Sequence, residues 1–225
     1  MDYGVLPGPS LAELARTAVA RARIVAVTCH SQPRAPSARA RLRAAPAGQL
    51  ILLTTPGSLG GHPIAVGARV TAVVGAAAPF TALALPGIVE SAARRPDGSL
   101  AHRVTVVSVE FTGPAGSRVP LAQYLAAAPD PLWRKAPAIL GHLDRGHRAQ
   151  LLACVRAHGL AEAQCVMPRS LDRFGLELGV LTASGVGSVR LSYPDGPVSC
   201  FSEIPPPMRM LLACRCLALP DRAAR

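Results

Sequence analysis

Aromatic residues make up only 4% of this 225-residue chain, and lysine occurs once, at Lys135. The shortage of aromatic rings removes the stacking platforms on which single-stranded nucleic acids are held. Half of the residues are apolar, yet no uninterrupted apolar run approaches the roughly 20 residues that cross a bilayer. No membrane association is therefore expected. The start, Met1-Asp2 followed by Pro7, Gly8 and Pro9, lacks the basic and apolar segments of a secretory signal. Six cysteines are present, but none form a Cys-x-x-Cys pair and no two pairs take zinc-ligand spacing. Cys214-Arg215-Cys216 falls in an expected closing helix, where residues two apart do not face each other. The cysteine pattern predicts a reducing, cytoplasmic setting and no metal site. No G-x-x-x-x-G-K-[ST], no G-x-G-x-x-G after a strand and no G-x-S-x-G occurs. Those absences leave a P-loop, a Rossmann site and the common hydrolase elbow unsupported.

What is abundant is arginine, and the formal net charge is +11. The excess is spread along the chain, +7 over residues 1–128 and +4 over residues 129–225, with no block of five consecutive basic residues. A diffuse basic surface is a weak nucleic-acid footprint, so a nucleic-acid partner is not expected.

Periodicity divides the chain into a strand-rich part and a helix-led part. Ser10 is placed to cap a helix through Leu11, Leu14 and Ala18. Strands are expected over Arg23–Cys29, Ser37–Arg43, Gln49–Thr55 and Val70–Val74. Another runs from Phe80 to Val89 with an interruption at Pro86-Gly87, and Arg103–Phe111 is the last. Arg94–Gly98 carries turn chemistry. About six short strands with few helices predict a barrel or sandwich. Leu121, Tyr124 and Leu125 form a helical turn, and Asp130-Pro131 opens a short helix through Trp133. Pro137–Gly159 then reads as one helix with Leu140, Leu143, His147, Leu151, Cys154 and His158 on one stripe. Two strands follow, Phe174–Leu181 and Val186–Ser192, and Met208–Leu217 closes the chain as a helix.

The domain reading is residues 1–119 as a barrel, 120–136 as a linker with a short helix, and 137–225 as a small helix-hairpin-helix domain. His147 and His158 share the apolar stripe and are expected in the core; His142 lies off it and is expected to be accessible. Arg39, Arg41 and Arg43 alternate on one face of a strand. They can serve a phosphate through forked donors, together with Ser58 and the amides after it, or they can be a solvated edge face that blocks aggregation.

Four patterns in order carry a resemblance. They are His142-Leu143-Asp144-Arg145-Gly146-His147, Asp172-Arg173-Phe174-Gly175-Leu176, Val189-Arg190-Leu191-Ser192-Tyr193-Pro194 and Met208-Arg209-Met210-Leu211-Leu212. Over about 75 residues they resemble the domain of unknown function 2470, with Asp144 where asparagine is usual and Gly146 where aspartate is usual. That domain follows a split β-barrel resembling the pyridoxamine 5'-phosphate oxidase and heme-utilisation families. The fold class implied is α+β, an FMN-binding-type split β-barrel followed by the small helix-hairpin-helix domain. Ser58-Leu59-Gly60-Gly61-His62 is similar to the stretch beside the flavin in such relatives, although Pro63 and Ile64 replace the usual Thr and Asn. The resemblance thus implies Arg41, Ser58 and His62 as cofactor-binding residues, FMN as the favoured cofactor with heme behind it, and a homodimer. No catalytic residue is singled out. No histidine follows His158, which disfavours heme degradation through a C-terminal histidine. Two functions remain open: a flavin- or heme-associated oxidoreductase-like protein of unknown substrate, and a non-catalytic binding or regulatory protein with a degenerate cofactor site.

Overall fold

The structure is a computed structural model of the chain and describes residues 8–30, 37–55, 64–76, 80–114 and 116–206. It separates into one unit of residues Ser10–Pro129 and another that contains the residues from Asp130 onward.

The first unit begins with α1 (Leu11–Arg21). The Ser10 hydroxyl accepts from the Glu13 amide at 3.2 Å and the Glu13 carboxylate accepts from the Ser10 amide at 2.9 Å. This reciprocal box satisfies two amides that the helix start leaves without partners. Ala12, Ala15 and Val19 form the buried side of α1. Eight strands follow: β1 (Ile24–Cys29), β2 (Ser37–Ala44), β3 (Leu50–Thr54), β4 (Arg69–Gly75), β5 (Ala82–Arg94), β6 (Leu100–Val106), β7 (Val109–Thr112) and β8 (Ser117–Val119), with α2 (Leu121–Ala126) after them. They order as β4-β1-β2-β3-β6-β5-β7-β8, and the added pairing of β4 with β5 closes the first six into an antiparallel barrel. Alternation sends Val25, Val27, Leu42, Leu50, Leu52, Val70, Leu85 and Val104 into its interior.

The expected interruption at Pro86-Gly87 is absent, because β5 runs through it for 13 residues. It pairs with β4 over Ala82–Ile88, with β7 over Ala82–Ala84 and with β6 from Gly87 to Arg94. The Pro86 carbonyl accepts from the Val107 amide at 2.9 Å. The missing Pro86 donor therefore faces the corner between β6 and β7 rather than the β4 ladder, where a proline is tolerated. That same corner at Val107-Ser108 splits the single strand expected over Arg103–Phe111 in two. At Gly87 a Cβ would stand 2.5 Å from Val104 Cγ1 and 2.7 Å from the Thr105 carbonyl oxygen, so glycine allows this close approach.

The second unit holds α3 (Ala136–Gly146), α4 (Arg148–Ala157), β9 (Cys165–Asp172), β10 (Gly175–Thr182) and β11 (Gly185–Ser192). The strands form an antiparallel sheet in the order β11-β10-β9. Two expectations are corrected here. The hairpin is a three-stranded meander, because β9 is a strand despite Pro168 and Arg169; the register with β10 skips at Glu177/Leu178, and the proline sits at that bulge. The long helix is two helices, since His147 at φ −131° and ψ 16° leaves the helical region. The core of this unit is Ile139, Leu143, Leu151, Val155, Leu171, Leu176, Leu178 and their neighbours. The expected closing helix, Met208–Leu217, lies outside the described residues. Among the described residues no helix is long and apolar enough to cross a membrane.

Candidate functional site

On β2 the inward positions are Ala40 and Leu42, while Arg39, Arg41 and Arg43 are exposed on the outer face of the barrel. Residues two apart on a strand place their stems about 6.5–7 Å apart. Cross-strand register sets the surroundings. Arg41 lies between Ile24 of β1 and Leu53 of β3, and Arg43 is opposite Ile51, which in turn pairs with Arg103 of β6. Ile24 is 61% exposed, and Ile51 and Leu53 are half-buried. Arg103 donates to the Gln49 amide oxygen at 3.2 Å, and the Gln49 amide nitrogen reaches Glu90 at 3.1 Å. Among the described residues, Arg39, Arg41 and Arg43 make no ion pair with a carboxylate.

Ile24 also lines a cleft of about 330 Å³ between α1 and one end of the barrel. Leu14, Ala18, Phe80 and Phe111 form its apolar walls, with the two phenyl rings stacked at 4.2 Å. The outer face thus combines three unpaired guanidinium groups, half-buried aliphatic side chains between strands and an apolar cleft at its margin. Alternation along β1 puts His30 on this same outer face, exposed, with Nε2 at 2.9 Å from the Thr71 hydroxyl. Of the cofactor residues implied by resemblance, Arg41 stands on this face; Ser58 and His62 lie outside the described residues.

The barrel interior contains one group that composition and motifs left unassigned. His102 is fully buried on β6, with Nε2 at 3.1 Å from the Thr54 hydroxyl and Nδ1 without a protein partner. Burial lowers its pKa and keeps the ring neutral. The inward alternation of His102, Val104 and Val106 was the signal that could have placed it.

In the second unit two of the three histidine expectations are reversed, those for His142 and His158. His142 is 8% exposed, His147 is half-buried, and His158 is exposed at the end of α4. The break at His147 shifts the phase of the stripe, so His158 leaves the core; its Nδ1 lies 2.8 Å from the Cys154 carbonyl oxygen. The His142 and His147 rings meet Nε2 to Nε2 at 2.9 Å. Burial, then His147 and Arg145, lower the His142 pKa. Elsewhere in the unit Arg190 holds both Asp172 oxygens at 2.8 and 2.9 Å, with Glu177 at 3.4 Å. The buried Tyr193 hydroxyl has no hydrogen-bond partner, and burial together with the Asp172 and Asp130 carboxylates raises its pKa. Among the described residues no group of three or more His, Cys, Asp or Glu side chains is arranged to hold a metal ion.

No family model matches the chain, and no curated protein matches it. Among solved structures, a protein of unknown function from Agrobacterium tumefaciens is 17% identical over 92% of this chain and 98% of its own, with a TM-score of 0.37. A heme-binding protein from Mycobacterium smegmatis is 21% identical over 92% of this chain and 96% of its own, with a TM-score of 0.62. The closed barrel with its helical and three-stranded companion is thus a fold that this chain has in common with a heme-binding protein.

Proposed function

We propose that the chain binds an anionic, planar cofactor on the outer face of its barrel, with heme as the first choice. The observation that carries this reading is the Arg39-Arg41-Arg43 row beside the cleft that shares Ile24 with it. Acidic groups of the cofactor would meet forked guanidinium donors while its flat apolar body covers Ile24, Ile51 and Leu53. His30 shares the outward parity of Ile24 but lies six residues further along β1, about 20 Å away, and is no part of this site. Heme iron supplies electron-transfer and oxygen chemistry when held; this chain's residues bind, orient and shield it. The fold likeness to a heme-binding protein supports heme over FMN. FMN would use the same arginines through its phosphate, as the split-barrel resemblance suggests. A cleft of about 330 Å³ is at the small end of ligand pockets, so a second copy of the chain is proposed to complete the site.

The test is a titration of the full chain with hemin, followed by its absorption band, and with FMN, followed by its fluorescence. Hemin should bind, Arg41→Ala should weaken it roughly ten- to a hundredfold as one charge-assisted contact is lost, and His30→Ala, about 20 Å along β1, should change neither affinity nor absorption band. FMN binding without hemin binding would replace the cofactor but keep the face. Binding that Arg41→Ala leaves undisturbed would place the site elsewhere. Failure of both ligands at micromolar concentration would favour the non-catalytic reading.

A further inference from the structure

His142 and His147 are five residues apart, and in an unbroken helix such residues lie about 140° apart around the axis. Their rings could not meet there. They meet because the chain leaves the helical region at His147: the Leu143 carbonyl accepts from the His147 amide, and α4 restarts with the Leu151 amide on the His147 carbonyl, both at 2.9 Å. The break turns two Nε2 atoms toward each other at 2.9 Å, with ring centroids 4.7 Å apart and planes at 57°. The hydrogen bond uses one Nε2 lone pair, and among the described residues no carboxylate or carbonyl meets either Nε2.

The separation matters chemically. Two imidazole nitrogens bound to one metal at about 2.05 Å lie about 2.9 Å apart if the angle between them is about 90°, and about 3.3 Å apart if it is tetrahedral. The observed spacing matches the first. We infer that the His142/His147 pair is a two-imidazole site for a divalent ion of tetragonal preference, Cu(II) foremost and Ni(II) after it. The donor ring passes its Nε2 proton to Nδ1, freeing both Nε2 lone pairs for the ion. His142, 8% exposed, anchors the ion from the protein side, and half-buried His147 faces outward. Remaining coordination positions go to water or an added ligand. Of the neighbouring charges one is neutralised, and the other, Arg145, acts on His142 and opposes a cation, so the two imidazoles must bind the ion against it. Arg148 is neutralised by Asp144 at 2.8 Å. The Arg145 guanidinium folds back along α3, with its nitrogens 3.6 and 4.0 Å from the position of a Cβ on Gly141.

The experiment adds Cu(II) to the full chain and reads affinity by competition with glycine, and ligand identity by pulsed electron paramagnetic resonance. One equivalent should bind with the modulation pattern of two imidazoles. His147→Ala should lower affinity at least tenfold and leave a pattern of at most one imidazole, while His158→Ala should change neither. His147→Gln retains a hydrogen-bonding group toward His142, so it tests metal loss in a chain whose fold is kept, checked by circular dichroism. A single-imidazole pattern in the wild type, a sulfur-to-copper absorption band from Cys165 or Cys200, or unchanged affinity in both His147 variants would overturn the assignment.

Discussion

Replacing Asp172 by alanine tests how the second unit is held together. Asp172 and Arg190 have side chains only 10% and 15% exposed, and Arg190 Nη1 reaches both carboxylate oxygens at 2.8 and 2.9 Å. The same carboxylate accepts from the Phe174 amide at 2.9 Å. Removing one member of a buried pair leaves the other charge uncompensated and costs about 3–5 kcal/mol. Glu177 stays within 3.4 Å of Arg190 and offsets part of that, so about 3 kcal/mol is expected. Trp133, the single tryptophan, lies in this unit, and its fluorescence during urea titration reports this transition. The urea midpoint should fall with little change in slope. A loss below about 1 kcal/mol, the range of exposed pairs, would refute the reasoning. A paired replacement, Asp172→Leu with Arg190→Met, should recover much of the loss because no buried charge remains.

Gly87→Ala should destabilise the barrel by about 1–3 kcal/mol, since its Cβ meets a carbonyl oxygen that cannot turn away; an unchanged thermal midpoint would count against the close approach. His102 is buried neutral with its folded pKa lowered, so the unfolded chain takes up the proton first as pH falls below about 6.5. Its contribution is full above that pH and is lost on acidification toward the folded value. His102→Leu should flatten the fall in stability as pH drops below about 6.5, and His142 leaves a residue of the same sign. An equally steep limb in the variant would show that His102 is not the titrating group.

The barrel was legible where alternation is strong. The outward arginines of β2 stand on the face their spacing implied, whereas the apolar run expected as the strand Gln49–Thr55 contains β3 but does not tell that Leu50, Leu52 and Thr54 face inward. The turn at Arg94–Gly98 was legible too: Asp97 accepts from the Ser99 amide at 3.1 Å and hydroxyl at 2.6 Å, which lowers its pKa. What escaped depends on partners. Whether Pro86 breaks a strand is decided by which neighbour its missing donor faces, and one strand's sequence does not contain that. Pro168 and Arg169 hid β9 because a bulge absorbs them only against Glu177 and Leu178. The helix stripe failed in two ways: His142 lies on the buried side of α3 with Ala136, Ile139 and Leu143, and the break at His147 turns His158 out to solvent. Arg41 was legible as a basic strand residue, whereas its aliphatic neighbours Ile24 and Leu53 come from pairings distant in sequence.

The patterns behind the family resemblance divide by what they do. Asp172, Gly175, Arg190 and Tyr193 all serve the meander. Asp172 closes the turn before β10, and Gly175 at φ +151° lets the backbone pass against β11, where a Cβ would strike the Leu191 carbonyl. Arg190 ties β11 to β9 and β10, and Asp130 captures the Arg173 amide at 2.7 Å. These residues are needed for the sheet to form, so a likeness carried by them speaks to fold, and chemistry must be argued from other side chains. The histidine pattern differs. His142 contributes to the helical core, yet no ladder or turn requires its Nε2 to face that of His147. A hydrophobic pair would fill the same space without leaving polar atoms to satisfy. This pair and the arginine row of β2 are thus places, beside the unpartnered His102 Nδ1 and Tyr193 hydroxyl, where polar groups exceed what the fold requires, and function is to be sought at the first two.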